Sequence, residues 1–326
     1  MKILITGGAG YIGSFMVRHL LERGDDVVVV DSLERGHKDA VDTKSKFYQG
    51  NLLDTDFLAK VFAENKFDGV INFAGFISMG ESMQNPDIYF QNNVFSALNL
   101  LEQMAKSKTN NFIFSSSAGV YGNPTKIPIP EDHSTKPTNP YGESKLMVEK
   151  IMRWYNEIYG INCIALRYFN ASGAALDASL GERHIPESHI IPNVVNAILK
   201  GESFKIFGTD YNTKDGTCVR DYIHVLDLVE AHVLAIESLK TKKGMHIYNV
   251  GTGNGYSNKE IAEMVEKVSS KTLKLELVER RPGDADTLIA DVTKIKNELG
   301  FSPKYSDLET IIKTAWQWHK KNQNQS

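Results

Sequence analysis

Short apolar runs that stop at small residues alternate with amphipathic stretches through the first half of the chain. KILIT (2–6) is such a run and halts at Gly7. Residues 12–23 carry apolar groups at helical spacing and end at Gly24, and VVVVD (27–31) is a second run that closes on an acid. Apolar groups at consecutive positions suit a strand covered on both faces, as in a parallel sheet. The alternation continues. KFYQG (46–50) reads as a strand, 54–64 as a helix with Asp54 as its cap, and GVINFAG (69–75) as a strand ending in small residues. Pro86 opens a helical pattern that runs to about 107, NFIFSS (111–116) is the next strand, 143–159 the next helix, and INCIALRYFN (161–170) the last strand of the regular series. Six strands alternating with helices predict an α/β fold, a doubly wound parallel sheet of Rossmann type. A ligand in such a fold lies beyond the carboxyl ends of the strands.

After residue 170 the rhythm breaks. A loop-like stretch (171–188) leads to a helix near 189–200, a strand at 204–207 and the polar loop GTDYNTKDGT. Helix (225–239), strand (246–253), helix (257–269) and strand (273–278) follow, then the loop RRPGDAD and terminal helices. The expected organisation is a nucleotide-binding domain over 1–170 and a smaller α/β substrate domain over 171–326. Part of 220–250 is free to return to the first. No linker of biased composition separates them, so the site is expected between the two.

The strand, glycine loop, helix, strand and acid at the start form a dinucleotide-binding unit. Gly7, Gly10 and Gly13 let backbone approach a pyrophosphate, which rests on a helix N-terminus where free N–H groups favour an anion. Asp31 stands eighteen residues after Gly13. Its carboxylate suits a ribose hydroxyl and repels a 2′-phosphate, which favours NAD over NADP.

Composition narrows the picture. The net charge of −3, with 41% hydrophobic and 24% charged residues, gives no electrostatic reason for a nucleic-acid or membrane partner. Cys163 and Cys218 are too few for a disulfide framework or a zinc site, and no apolar run reaches membrane-span length. A cytoplasmic location is expected. The nine histidines show no metal-ligand spacing, and His184 and His189 read as polar loop residues, so no metal is expected.

The chemistry gathers at Tyr141-Gly142-Glu143-Ser144-Lys145. At the start of a helix, a phenol and an ammonium four residues apart share one face. A nearby positive charge favours the phenolate and lowers its pKa, which makes an acid or base usable near neutrality. Ser115-Ser116-Ser117 closes a strand just upstream, and Ser117 precedes Tyr141 by twenty-four residues. Ser115 and Ser116 read as strand-end capping groups, and Ser117 as a functional hydroxyl.

Serine, tyrosine and lysine behind a GxxGxxG loop resemble the short-chain dehydrogenase/reductases, in their extended branch. The stretches TGGAGYIGS, INFAGF, FSSSAGVYG, PYGESKLMVE, LRYFN, IFGTDYNTKDGTCVRDYIHVLDL, YNVGTG and RRPGD are most similar to the UDP-glucose 4-epimerase family, from Lys2 to about Gln317. The resemblance implies NAD as a resident cofactor and a UDP-sugar substrate. The sugar would be oxidised at C4 to a ketone, turned over and reduced on its other face, interconverting UDP-glucose and UDP-galactose. Tyr141 would exchange the 4-hydroxyl proton, Lys145 would support the phenolate and hold the nicotinamide ribose, and Ser117 would bond the sugar oxygen or the phenol.

On the same resemblance Tyr11, Ile12, Asn51, Leu52, Phe73, Ala74, Gly75, Asn93, Ser115 and Tyr168 join the glycines and Asp31 around the cofactor. Asn93 reads equally well as a polar residue of the long helix facing a loop. Asn170 and His189 would touch the sugar nucleotide, Phe207 the uracil, Arg220 and Arg281 the diphosphate, and Asp284 a ribose hydroxyl. Guanidinium forks match phosphate oxygens. Core packing is the other reading of Phe207. This chain has Asn51 where many relatives carry Asp, Ile77 where some carry Lys, and His189 where some carry Asn. Leu288 falls where the family gates the sugar 2-substituent, and its size favours UDP-glucose over UDP-GlcNAc. Other UDP-sugars remain alternative substrates. A 4,6-dehydratase is a weaker alternative, because such enzymes follow the catalytic hydroxyl with an Asp-Glu pair, where this chain has Ala118-Gly119. A homodimer through the helices 86–107 and 143–159 completes the expectation.

Overall fold

The computed structural model describes residues 1–280 and 284–323. Its centre is a seven-stranded sheet in which every neighbour pair is parallel. The spatial order is Lys46–Gln49, Asp26–Asp31, Lys2–Thr6, Gly69–Asn72, Asn111–Ser117, Asn162–Tyr168, Met245–Val250. Six of these strands come from the regular series. The seventh is supplied by Met245–Val250, which pairs in register from Met245↔Cys163 to Val250↔Tyr168.

The apolar runs explain the layers. Ile3, Ile5, Val27 and Val29 point into one core, against the helices Tyr11–Glu22 and Val225–Ser238. Leu4, Val28 and Val30 point into the other, against Thr55–Glu64, Ser96–Ser107 and Pro140–Tyr159. Period-two side chains from one strand thus feed two cores, so the inner strands are covered on both faces. A third core stands apart from the sheet. It joins the helices Ile190–Lys200, Asn258–Ser269 and Leu308–Asn322 through Val194, Ile261 and Ile311. The parallel pair Ser203–Phe207 and Lys274–Val278 accompanies it.

Several boundaries differ from the sequence reading. The helical pattern from Pro86 is real but uneven. Pro86–Tyr89 and Ser96–Ser107 are α-helical, and Phe90–Phe95 between them is a wider π-helical turn. The helix of the YxxxK motif begins at Pro140, earlier than 143, because Asn139 caps it by accepting from Gly142 N at 2.8 Å. Asn170–Ser172 leaves the main sheet and pairs with Tyr222–His224.

Along the sheet, the strand order reverses beside Lys2–Thr6. The chain builds outward to Lys46–Gln49, then returns to place Gly69–Asn72 on the other side. Loops diverge at such a reversal and leave a crevice at the strand ends. Here that crevice is a cavity of about 700 Å³.

Candidate active site

The cavity floor is the row of strand ends. Gly7, Gly10, Tyr11, Ile12 and Gly13 line it with Asp31, Asn51 and Leu52. Gly7 has φ +73°, and a Cβ there would lie 2.6 Å from Ala74 N. A Cβ on Gly13 would lie 2.1 Å from Gly7 O. The loop therefore closes on itself too tightly for side chains, and its backbone is free to meet a ligand. Asp31 is almost buried and accepts from Ala9 N at 2.9 Å and Leu33 N at 2.8 Å. The nearest following cation, Arg35, donates to Glu81 at 2.7 Å and lies over the Phe76 ring. An acid at the strand end beside an already paired arginine fits an unphosphorylated adenosine ribose. A backbone cradle, an acidic strand end and a long adjoining cavity are the features an NAD molecule requires, so the residues fit that cofactor.

Phe73, Ala74, Gly75, Ser115 and Tyr168 line the next part of the wall. Asn93 does not line it. It is buried in the π-helical turn, where its Oδ1 accepts from Phe76 N at 2.7 Å. Its Nδ2 donates to Phe76 O at 3.0 Å and to Ser144 Oγ at 3.1 Å. The structure favours the second sequence reading: Asn93 faces a loop, the one carrying Gly75, and ties it to the YxxxK helix. The wide turn brings this amide inward, a use of π-geometry common near functional sites.

Tyr141, Lys145 and Ser117 meet in the same cavity. Asn139 and Pro140 start the helix so that Tyr141 sits in its first turn. Lys145 Nζ lies 5.8 Å from the Tyr141 ring centre and donates to Ser115 O at 2.8 Å. Ser117 Oγ accepts from Gly119 N at 3.0 Å and lies close enough to the Tyr141 phenol to lower its pKa. Ser115 and Tyr168 share a hydrogen bond beneath them.

The electrostatics correct one expectation. Burial pushes the Tyr141 phenol above its ordinary value, and Ser117 offsets only part of that. Burial also pushes Lys145 down to about 8. The ammonium points at a carbonyl instead of the phenol oxygen, so without a bound ligand the tyrosine keeps its proton more firmly than a free one.

The opposite wall comes from the second half of the chain. Asn170, His189, Arg220 and Leu288 line the cavity. Leu288 packs with Phe169 on a small apolar cluster of Ala118, Val120 and Leu146. Among the described residues, Phe207 and Asp284 stand outside the lining. Phe207 ends the strand Ser203–Phe207, and Asp284 lies near Tyr211, whose phenol is raised by burial first, then by Cys218 and, less, by Asp284. Arg281 lies outside the described residues.

Two groups escaped the sequence reading. Asp221 is fully buried, and its carboxylate accepts from Thr252 N (2.8 Å), Gly253 N (3.0 Å) and Ala290 N (3.2 Å). Its backbone N donates to Leu288 O at 3.0 Å, and its carbonyl accepts from Asn170 N at 3.1 Å and Nδ2 at 3.0 Å. One residue thus fixes both Asn170 and Leu288. Its signal was an acid between Arg220 and the apolar YIHVL run. The second group is Glu182, His184, Glu187 and His189, whose donor atoms converge within 4.8 Å. No spacing rule flagged these four as ligands, because a loop rather than a helix brings them together.

Comparison with known proteins follows the same lines. The GDP-mannose 4,6 dehydratase family matches residues 4–314. UDP-glucose 4-epimerase of Lactobacillus helveticus is 47% identical over 321 residues, 98% of this chain and 97% of that protein. A crystal structure of UDP-glucose 4-epimerase, 46% identical, superposes with a TM-score of 0.97 over 99% of both chains. That of the Bifidobacterium longum UDP-glucose 4-epimerase in complex with NAD+ and UDP, 38% identical, gives 0.94 over 99% of both.

Proposed function

Because the chain belongs to the UDP-glucose 4-epimerase family of the extended short-chain dehydrogenase/reductases, we propose that it interconverts UDP-glucose and UDP-galactose with NAD as its cofactor. One observation carries the reading. Tyr141, Lys145 and Ser117 meet at the strand-end floor of a cavity that begins at a glycine loop.

The glycine loop, Asp31, Asn51, Leu52 and Phe73 to Gly75 are the residues to hold the cofactor. NAD, when bound, supplies a hydride acceptor and donor for C4 and, when oxidised, a positive charge that favours a phenolate. Tyr141 takes the 4-hydroxyl proton and returns it after the ketone has turned its other face. Ser117 orients that phenol, and Lys145 supplies the nearby ammonium that supports its ionised form. Asn93 positions the Gly75 loop and is not itself a contact. Asn170, His189 and Arg220 face the nucleotide sugar, with Phe207, Arg281 and Asp284 assigned to its uridine diphosphate end.

The division into a cofactor domain over 1–170 and a sugar-nucleotide domain over 171–326 belongs to this reading. The pairing of Met245–Val250 with Asn162–Tyr168 supports a return of the chain to the first domain. A homodimer is supported by exposed apolar groups on the two outer helices, Phe95, Met147, Trp154 and Ile158. A cytoplasmic enzyme of galactose metabolism is the setting we propose. No helix among the described residues is long and apolar enough to cross a membrane.

A dehydratase is disfavoured because Ser117 is followed by Ala118 and Gly119, which offer no carboxylate for elimination. The direct experiment is incubation of the purified protein with UDP-galactose and no added cofactor, following the anomeric protons by NMR. Conversion to UDP-glucose is the expected result. Accumulation of NADH on adding NAD⁺, with no epimer formed, would refute epimerisation.

A further inference from the structure

Within eight residues of loop, four side chains turn their donor atoms toward one another. Each of Glu182, His184, Glu187 and His189 offers one donor atom, and all four lie within 4.8 Å of one another. His184 Nδ1 stands 3.1 Å from Glu182 Oε1 and 3.6 Å from Glu187 Oε1. His189 Nδ1 meets the same Glu182 oxygen. His184 Nδ1 is a buried atom that faces these two carboxylates without a well-aligned hydrogen bond to either. The Glu182 side chain is only 3% exposed.

With neutral imidazoles, this cluster carries two negative charges, on a buried Glu182 and a half-buried Glu187, and only protonation of the imidazoles or a bound cation balances them. Isolated charge of that kind is costly unless a cation compensates it. Its donor set is two imidazole nitrogens and two carboxylate oxygens, which suits a zinc-type divalent ion in four-coordinate geometry.

The surroundings hold the donors in place from outside. Trp318 Nε1 donates to Glu182 O at 2.9 Å, and His37 Nε2 meets Arg183 O at 2.9 Å. Arg183 pairs with Asp39 at 2.5 Å. The Tyr11 and His184 rings meet edge to face, as do the His184 and His189 rings. Glu187 Oε1 accepts from Ser188 N at 2.8 Å and His189 N at 2.9 Å, which fixes its carboxylate. His189 precedes the helix Ile190–Lys200 without capping it through its side chain, and its Nδ1 turns to Glu182 instead.

We propose that Glu182, His184, Glu187 and His189 form a binding site for one zinc-type divalent cation. The cation cross-links the loop to the start of the helix Ile190–Lys200. His184, Ser188 and His189 line the large cavity, so the ion stiffens the cavity's outer wall. Its role is positioning and stability. The site stands on its own donor geometry and does not depend on which sugar nucleotide the cavity accepts.

The test uses the full chain, free of any histidine tag and dialysed against metal-free buffer. Elemental analysis is expected to find about one zinc per chain, or the chelator-stripped protein to take up about one on addition. Melting temperature should rise by several degrees on zinc addition to stripped protein. Cobalt should give the intense visible absorption of a four-coordinate site. Glu187→Gln and His184→Ala should each cut retained metal at least tenfold. If either variant fails to fold, metal uptake and the cobalt spectrum of the parent chain decide the matter. A parent chain that retains no metal, and whose melting temperature is unmoved by zinc, cobalt, nickel or manganese, overturns the proposal. The cluster is then an imidazolium–carboxylate network. Binding of magnesium or calcium alone would overturn the assignment to a zinc-type ion.

Discussion

The two walls of the cavity are built by different means. The wall at the strand ends is made from backbone. Gly7 and Gly13 have no room for side chains, and consecutive βα units place them. The facing wall is made from side chains that reach across the sequence. Asp221 holds Asn170, Thr252, Gly253, Leu288 and Ala290, from segments up to 69 residues away. A backbone-built wall suits a ligand of constant shape, whereas a side-chain-built wall can change its ligand by one substitution. Under the proposed function, the cofactor takes the first wall and the sugar nucleotide the second.

The largest effect should fall on chemistry alone. Tyr141→Phe is expected to lower turnover by about 10³-fold while leaving both walls intact, since a positioned acid–base group contributes about 10²–10⁴-fold. Retained nucleotide and melting temperature should match the parent, and near-parental turnover would remove Tyr141 from the mechanism. Asp221→Ala should break the side-chain wall. It strands one buried and two part-buried N–H donors, at a cost of about 3 kcal/mol. KM for the UDP-sugar should rise while copurified NAD stays, and loss of NAD in step with substrate would dissolve the distinction between the walls. Gly13→Ala should do the reverse. Its Cβ collides with Gly7 O, and overpacking of this kind costs about 2 kcal/mol or more. Absorbance of the released nucleotide reads that loss.

A fourth measurement concerns the buried ammonium between the walls. Lys145 titrates near 8 in the folded chain against 10.5 ordinarily. Below pH 8 both folded and unfolded chains carry the proton, and the burial penalty, about 3 kcal/mol, is fully present. Between the two values the unfolded chain binds more protons, so stability rises with pH, and above 10.5 the penalty is gone. Lys145→Met in the cofactor-free protein should therefore be stabilised by about 2 kcal/mol at pH 7, after discounting the lost bond to Ser115 O. That gain should shrink toward pH 10 in denaturant titrations. The smallest effect should come from Leu288→Tyr. Turnover of UDP-GlcNAc is expected to fall about tenfold with UDP-glucose little changed, within the 1–3 kcal/mol or so that pocket size commands. Equal turnover of both sugars by the parent chain would remove Leu288 as a gate.

The same contrast explains what the sequence disclosed. Runs such as VVVVD and the glycine spacing report local geometry, so the sheet, Asp31 and the YxxxK helix could be read directly. Asp221 could not, because its role consists of hydrogen bonds to residues 170, 252, 253, 288 and 290. Asn93 was ambiguous for a related reason: the six-residue wide turn that swings it inward leaves no mark on an otherwise helical pattern. The ionisation state of Tyr141 was misjudged because sequence spacing reports distance to Lys145 but not burial or the carbonyl that captures the ammonium. The sequence reading took His184 and His189 as polar loop residues, because it could not see the loop bring Glu182 and Glu187 beside them.

The strand Met245–Val250 sets a condition on how the molecule is made. Every other strand of the large sheet is complete by residue 168, but the edge of Asn162–Tyr168 stays bare until residue 250 has been synthesised. An unpaired strand edge is a template for pairing with other chains. On the ribosome, the glycine-loop half therefore waits some eighty residues with its last strand exposed. Only then does Met245–Val250 cover it, with Lys294 Nζ donating to the outer carbonyl of Ile247 at 2.9 Å. The later half of the sequence acts as the guardian of the earlier half's solubility before either wall has met a ligand.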